Sequence, residues 1–308
     1  MPDPLVTQAS RSPGLTDRIG DTPLVSIAGL EVPGDVEVLG KAEWLNPGGS
    51  VKDRAAWSIV RDALERGSLQ GRRLLDATSG NTGIAYAWIG AAHGFPVTLC
   101  LPANANAERQ RLLRALGAEI VPTSALEGTD GAMQVARRML AEHPDRYFYA
   151  DQYSNDANWR AHYHGTAEEI WRQTDRRLTH FVAGVGTSGT LVGTARRLRE
   201  LASGVQIIAV QPDNPLHVLE GLKHLPTART PAIYDPTAAS RTIEVASEDA
   251  VAMAKRQAKR GLLLGWSAAG ALVAAERLAR EIPRGVIVAI LPDSAERYLG
   301  EPHWTEGA

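Results

Sequence analysis

Lys52 follows a breaker-rich turn, Asn46-Pro47-Gly48-Gly49-Ser50-Val51, and stands before a stretch, 53–66, of helical composition. The positive end of a helix dipole disfavours a cation, so an amine placed there is pushed toward its neutral form. A neutral amine makes imines. A lysine tuned in this way can hold an aldehyde cofactor as a Schiff base, and pyridoxal phosphate is the usual one. Alone, the pattern also fits a surface lysine in a helix-capping turn, so the weight falls on what accompanies it.

Two further glycine-rich turns lie downstream, each between a strand-like and a helix-like run. Thr78-Ser79-Gly80-Asn81-Thr82-Gly83 separates the strand-like 73–77 from the helix-like 84–93, and its small hydroxyls, amide and free backbone suit a carboxylate. Gly184-Val185-Gly186-Thr187-Ser188-Gly189-Thr190 lies between 179–183 and 191–201. Free amides at a helix start, with Thr and Ser hydroxyls, suit a phosphate without any basic side chain. Gly184, Gly186 and Gly189 also spell a dinucleotide fingerprint, with Asp213 just beyond the next strand-like run. That reading leaves the Lys52 and Asn81 turns without work. A nucleotide P-loop is excluded, because position 190 is threonine where lysine is needed.

Together these turns resemble those of the cysteine synthase (O-acetylserine sulfhydrylase) family of fold-type-II pyridoxal-phosphate enzymes. The likeness extends through Ile19-Gly20-Asp21-Thr22-Pro23-Leu24, Gln152-Tyr153-Ser154-Asn155, Ala161-His162-Tyr163-His164-Gly165-Thr166 and Pro292-Asp293-Ser294-Ala295-Glu296-Arg297-Tyr298. The resemblance implies pyridoxal 5'-phosphate on Lys52, which also shuttles the substrate α-proton. It implies Asn81 on the cofactor's ring hydroxyl, and Gly186, Thr187, Ser188, Gly189 and Thr190 around its phosphate. It puts Ser294 at the pyridine nitrogen, and Thr78, Ser79, Gly80, Asn81, Thr82 and Gln152 around the amino acid. The implied reaction is β-replacement: an activated serine loses its leaving group to give an α-aminoacrylate, and a sulfur donor adds to give cysteine, with ping-pong kinetics. A homodimer is implied by the same resemblance.

Two departures bear on the substrate. Gly265-Trp266-Ser267-Ala268-Ala269-Gly270 stands where the family usually reads Gly-Ile-Ser-Ser-Gly-Ala, and Ala295 replaces a glycine. Around Gly221-Leu222-Lys223-His224 the chain looks more like the B-type sulfhydrylases, which carry a basic residue there. Lys223 or His224, if either reaches the site, would favour an anionic partner such as thiosulfate, a thiocarboxylate or O-phosphoserine; a solvated loop charge is the alternative. Other fold-type-II reactions, such as a cystathionine β-synthase or a nitrogen nucleophile, stay open, as does a non-catalytic binding homologue.

The elements that must position these residues alternate between strand-like and helix-like runs. Strands are expected at 96–102, 118–122, 206–210, 242–245 and 286–291. Helices are expected at 107–116, 131–142 and 247–259, the last with Ser247 as N-cap. Such alternation argues for an α/β fold of two open, mostly parallel-sheet domains with the cofactor in the cleft between them. Residues 46–157 would form the N-terminal domain, with 95–140 its mobile part, and 158–308 the C-terminal one; by resemblance, 1–45 cross to the latter. The irregular 212–240 is a candidate rim or lid. Arg109-Gln110-Arg111 reads as an exposed helix face, Cys100 as a buried strand thiol, and His162 and His164 as structural, with no metal site. At 308 residues, 44% hydrophobic and net charge -2, the chain has a large core and no electrostatic case for nucleic acid or an anionic membrane. The start of the sequence lacks a signal-peptide pattern and no apolar run is of spanning length, so the cytoplasm is the expected location.

Overall fold

The apolar runs become strands in two sheets, in a computed structural model that describes residues 14–78 and 80–305. In chain order the strands are β1 (Leu24–Ser26), β2 (Val36–Ala42), β3 (Arg73–Ala77), β4 (Val97–Pro102), β5 (Glu119–Thr123), β6 (Tyr147–Tyr149), β7 (His180–Gly184), β8 (Gln206–Pro212), β9 (Arg241–Val245) and β10 (Gly285–Leu291). The helices are α1 (Lys52–Glu65), α2 (Asn81–His93), α3 (Ala107–Ala115), α4 (Gly128–Glu142), α5 (Asp156–Ala161), α6 (Ala167–Gln173), α7 (Gly189–Leu201), α8 (Ser247–Ala258) and α9 (Trp266–Glu281).

One sheet has the order β5-β4-β3-β6, all parallel; the other has β1-β2-β10-β7-β8-β9, parallel except for β1 against β2. Parallel strands need crossover helices, which cover both faces and require apolar residues on both sides of each central strand. β10 shows this, with every residue from Val286 to Leu291 buried. The larger sheet is packed on one face by α8 and α9 and on the other by α6 and α7. The smaller one is packed by α1 and α2 on one face and α4 on the other.

In open parallel sheets ligands bind beyond the carboxyl ends of the strands. Here β3, β7 and β10 end at Ala77, Gly184 and Leu291, so the 78–80 loop, the 184–188 loop and the Pro292-Asp293 corner lie at those ends. Between β8 and β9 there is neither helix nor strand, in keeping with the irregular segment read from the sequence.

Two local expectations are corrected. Ser247 is the first residue of α8, with Ala246 at the cap position, and its hydroxyl instead accepts from the Val218 backbone N–H at 3.1 Å. Arg109 is not on an exposed face: it is buried and pairs with Glu220 at 2.6 Å, more than a hundred residues away in the chain. Asn106 caps α3, its side chain accepting from the Glu108 and Arg109 amides at 2.9 and 3.2 Å.

Candidate active site

A cavity of about 180 Å³ gathers Lys52, Thr78, Gly80, Asn81, Thr82, Gln152, Gly186, Thr187, Ser188, Thr190 and Lys223. Residues from three separate glycine-rich turns thus meet in one space. Ser79 lies outside the described residues. Gly189 starts α7 beside the cavity, packed so closely on Asn158 that a Cβ there would strike its side-chain oxygen.

Lys52 is the first residue of α1, as its turn predicts. Burial is the main force pushing its amine below the ordinary lysine range, opposed by the carboxylates of Asp293 and Glu43. The neutral form is therefore within reach, with loss of solvent adding to what the helix start would do. The helix itself is pinned by a buried charge cluster. Arg54 donates to Glu43 at 2.7 and 2.9 Å and to Glu169 at 2.6 and 2.7 Å, and Lys41 donates to Glu169 at 2.7 Å. Two cations thus face two carboxylates, linking β2, α1 and α6 two residues away from Lys52. Among these groups the Glu169 carboxyl is held down at about 2, against its burial, by Arg54 and then Lys41.

The 78–82 loop is braced by side chains. Thr82 Oγ1 donates to Gln152 Oε1 at 2.8 Å, which leaves the Gln152 amide nitrogen turned toward the Ala77 carbonyl at 3.4 Å. Asn158 then joins this loop to the next, its Nδ2 donating to the Gln152 carbonyl at 2.7 Å and to Thr187 Oγ1 at 3.1 Å. Asn158 was not singled out from the sequence, since nothing in an Asn on a short helix marks it as a bridge.

The second turn is built to take an anion. Ser188 sits in the left-handed region at φ 72°, a conformation costly for a residue other than glycine, and its buried hydroxyl has no partner. The first amides of α7 point into the same region, where no basic side chain is supplied by 184–190. Thr190 Oγ1 lies 3.3 Å from His162 Nε2, whose other ring nitrogen is 2.9 Å from Thr166 Oγ1. His162 is fully buried in a π-helical turn, and burial followed by the Arg54 charge drives its imidazole down to about 3, so it is neutral. An orphaned hydroxyl, free amides and a neutral imidazole fit a phosphate dianion well. A dinucleotide fits poorly: Asp213, its expected ribose partner, is exposed and does not line the cavity.

Ser294 is the expectation that the geometry does not support. Its hydroxyl accepts from the Glu296 amide at 3.2 Å, capping a short 3-10 turn, and it does not line the cavity. Ser267, in the first turn of α9, does line it and is buried. The reason is the backbone pairing at the corner: Asp293 bridges Ser50, and the Val51 amide donates to the Pro292 carbonyl at 2.9 Å. That pairing turns Asp293, not Ser294, inward. Trp266 lies beneath, donating to Glu301 at 2.7 Å and stacked on Trp304. Thr129, Tyr153 and Glu220 also line the cavity, and no local pattern had marked them out separately.

Lys223 reaches the cavity, with its amine 5.1 Å from the centre of the Tyr153 ring. Burial lowers its affinity for a proton, with Asp130 acting in the opposite direction. His224 instead hydrogen-bonds Thr227 at 2.8 Å on an exposed turn. Cys100 is buried in β4, with its thiol pushed up to about 12 by burial, so it is inert as a nucleophile. No group of metal-ligating side chains, and no helix long and apolar enough to cross a membrane, occurs among the described residues.

A two-lobed α/β frame with a buried lysine and an amide-lined anion cradle defines a pyridoxal-phosphate enzyme of fold type II. The family model described as pyridoxal-phosphate dependent enzyme matches residues 15–293, and the chain belongs to that family. It is 49% identical over 290 residues to a cysteine synthase of Aquifex aeolicus, covering 91% of this chain and 89% of the relative. It is 40% identical to cysteine synthase B of Pseudomonas aeruginosa, covering 93% and 96%. A crystal structure of cysteine synthase from Entamoeba histolytica superposes with a TM-score of 0.91 at 34% identity, covering 99% of this chain and 94% of that one.

Proposed function

We propose that this protein makes L-cysteine by pyridoxal-phosphate-dependent β-replacement, from an activated serine, O-acetylserine or O-phosphoserine, and sulfide or another sulfur donor. The observation that carries the reading is Lys52: a buried amine with a depressed proton affinity, facing a hydroxyl-rich loop and a cation-free anion cradle across one cavity. The cofactor supplies an electron-accepting ring for the electron pair left when the α C–H bond breaks. Lys52 would hold it and, once freed by the substrate amine, take the α-proton and later return it. The 186–190 loop would grip the phosphate, and Asn81 the ring hydroxyl. Thr78, Ser79, Gly80, Asn81, Thr82 and Gln152 would bind the substrate carboxylate.

We assign the pyridine-nitrogen contact to Ser267 in place of Ser294. A neutral hydroxyl does not keep that nitrogen protonated as an aspartate would, so charge is not stored and loss of the β-substituent is favoured. Ser267→Ala should lower kcat/KM by roughly tenfold, the scale of one lost hydrogen bond, whereas Ser294→Ala should stay within about twofold of wild type. Equal losses from both variants would refute the assignment.

Lys223 is assigned to the substrate's leaving group or the anionic sulfur donor. Lys223→Ala should therefore cost about tenfold more in kcat/KM with O-phosphoserine than with O-acetylserine, a charge-assisted contact discounted for its partial exposure. An unchanged ratio removes the role. The two sheets, with β1 and β2 joined to the larger one, support a division into two lobes, and the 212–240 segment forms the rim of the cleft. Cytoplasmic location and homodimerisation complete the proposal, the latter checked by sedimentation.

The whole reading has a stoichiometric test. Mixed with O-acetylserine and no sulfide, the yellow protein should change colour and release one acetate per active site, then stop. Adding sulfide should restore the first spectrum and yield cysteine. Acetate release only after sulfide addition would argue for a single displacement and against the two-step scheme.

A further inference from the structure

Asp293 is 1% exposed, yet one of its carboxylate oxygens, Oδ1, has no hydrogen-bond partner. A buried carboxylate left half unsatisfied is costly unless a positive group neutralises it. Its other oxygen accepts from Asn81 Nδ2 at 2.6 Å and from the Tyr298 hydroxyl. Arg297, four residues on, donates one guanidinium nitrogen to Asn81 Oδ1 and another to the Gly48 carbonyl. Both ends of the Asn81 amide are thus fixed from the segment after β10, although Asn81 itself begins α2. The same Arg297 grips the turn that carries Lys52. Gly265 leaves no room for a side chain here, because a Cβ would strike Asp293 Oδ1.

We propose that Asp293 is a positioning residue of the reaction, which orients the Asn81 amide and holds the positive charge of Lys52 whenever that lysine carries a proton, with Arg297 setting how much of the Asp293 charge Lys52 feels. The proposal rests on Lys52 being the cofactor lysine. A base that takes a proton from carbon needs a counter-charge close by, and one shared with Asn81 couples proton transfer to the orientation of the cofactor ring.

The ionisable groups around the pair are few. Lys52 faces Asp293, Glu43 and His162, with Glu220 and Lys223 on the cavity wall. Around Asp293 stand Tyr298, Arg109, already paired with Glu220, and, across the Asn81 amide, Arg297, whose charge also acts on the buried Asp53 carboxyl beside Lys52. Of these, Asp293 does most to favour the charged form of Lys52.

The test uses the cofactor-free protein and pyridoxal phosphate itself. Neutral Lys52 attacks the aldehyde carbon, a C–N bond forms and one water leaves, with no oxidant or reductant involved. The rate of appearance of the visible band, followed against pH, rises as Lys52 loses its proton. Asp293→Asn removes the counter-charge and should move the midpoint of this rise down by about one pH unit. Arg297→Met removes the cation that stands across the Asn81 amide from Asp293, with Arg109 still in place, and should move it up, while weakening cofactor affinity about tenfold through the loosened Asn81 amide. Structural damage alone would not shift the two variants in opposite directions. If both midpoints equal that of wild type, the proposal is overturned although Lys52 still captures the cofactor. If wild type captures none at Lys52, the parent reading fails and the proposal fails with it. Should Asp293→Asn not fold, an unmoved or lowered midpoint in Arg297→Met alone overturns the proposal.

Discussion

Lys52→Ala protein is expected to purify without the yellow colour of bound cofactor and to lose turnover by about 10³-fold or more. The estimate combines loss of the covalent anchor with loss of a general base, for which 10²–10⁴-fold is usual. The effect should be local. Lys52 stands outside the ion pairs that fix α1, which begin at Arg54, so the cofactor-free variant should still unfold cooperatively, with its melting temperature lowered only by what Asp293 loses as its counter-charge. Added methylamine, small enough to enter the vacated space, should restore part of the rate. A variant that turned over at one tenth of the wild-type rate would require another base.

The largest effect on stability should come from Arg54→Met. The guanidinium is buried against Glu43 and Glu169, and removing it leaves a fully buried Glu43 carboxylate without its main partner. Removing one member of a buried pair costs about 3–5 kcal/mol, a large share of the stability of a typical domain. The sign with pH is specific. In wild type, Glu169 has its folded pKa lowered to about 2, so its contribution is complete above the unfolded value of about 4.5 and is lost as pH falls between the two. In the variant the carboxylates bind protons more readily when folded, so the penalty relative to wild type should shrink toward pH 4 and be largest near neutrality. Urea unfolding at pH 4.5 and 7.5 reads this directly. Arg54→Met with Glu43→Gln should recover part of the loss; a double variant no better than the single one would mean that the damage is in packing.

The parts of this molecule visible in its sequence were those with local causes. Glycines that permit close backbone approach, a lysine after a turn, and apolar runs of strand length marked three loops and most of the strands, with edges within a residue or two: 96–102 against Val97–Pro102, and 286–291 against Gly285–Leu291. What was not visible depends on partners remote in the chain. Arg109 looks like any charge on a helix until Glu220 is brought across the cleft, and Asn158 looks unremarkable until Gln152 and Thr187 converge on it. The position of Ser267 on the cavity wall, with Ser294 off it, was hidden for the same reason. Both are small hydroxyls near element ends, but Ser294 is taken up capping the 295–297 turn while Ser267 opens α9 on the cavity wall. His162 was read as structural, and it is buried and neutral, yet its second nitrogen lies 3.3 Å from Thr190 Oγ1 on the cavity wall.

The attachment of the cofactor is the claim on which the rest depends, and reduction with borohydride followed by proteolysis and mass spectrometry tests it in one step. The account predicts a single pyridoxyl-phosphate adduct, carried by the peptide that contains Lys52. An adduct on Lys223, or on no lysine in protein saturated with pyridoxal phosphate, would contradict it.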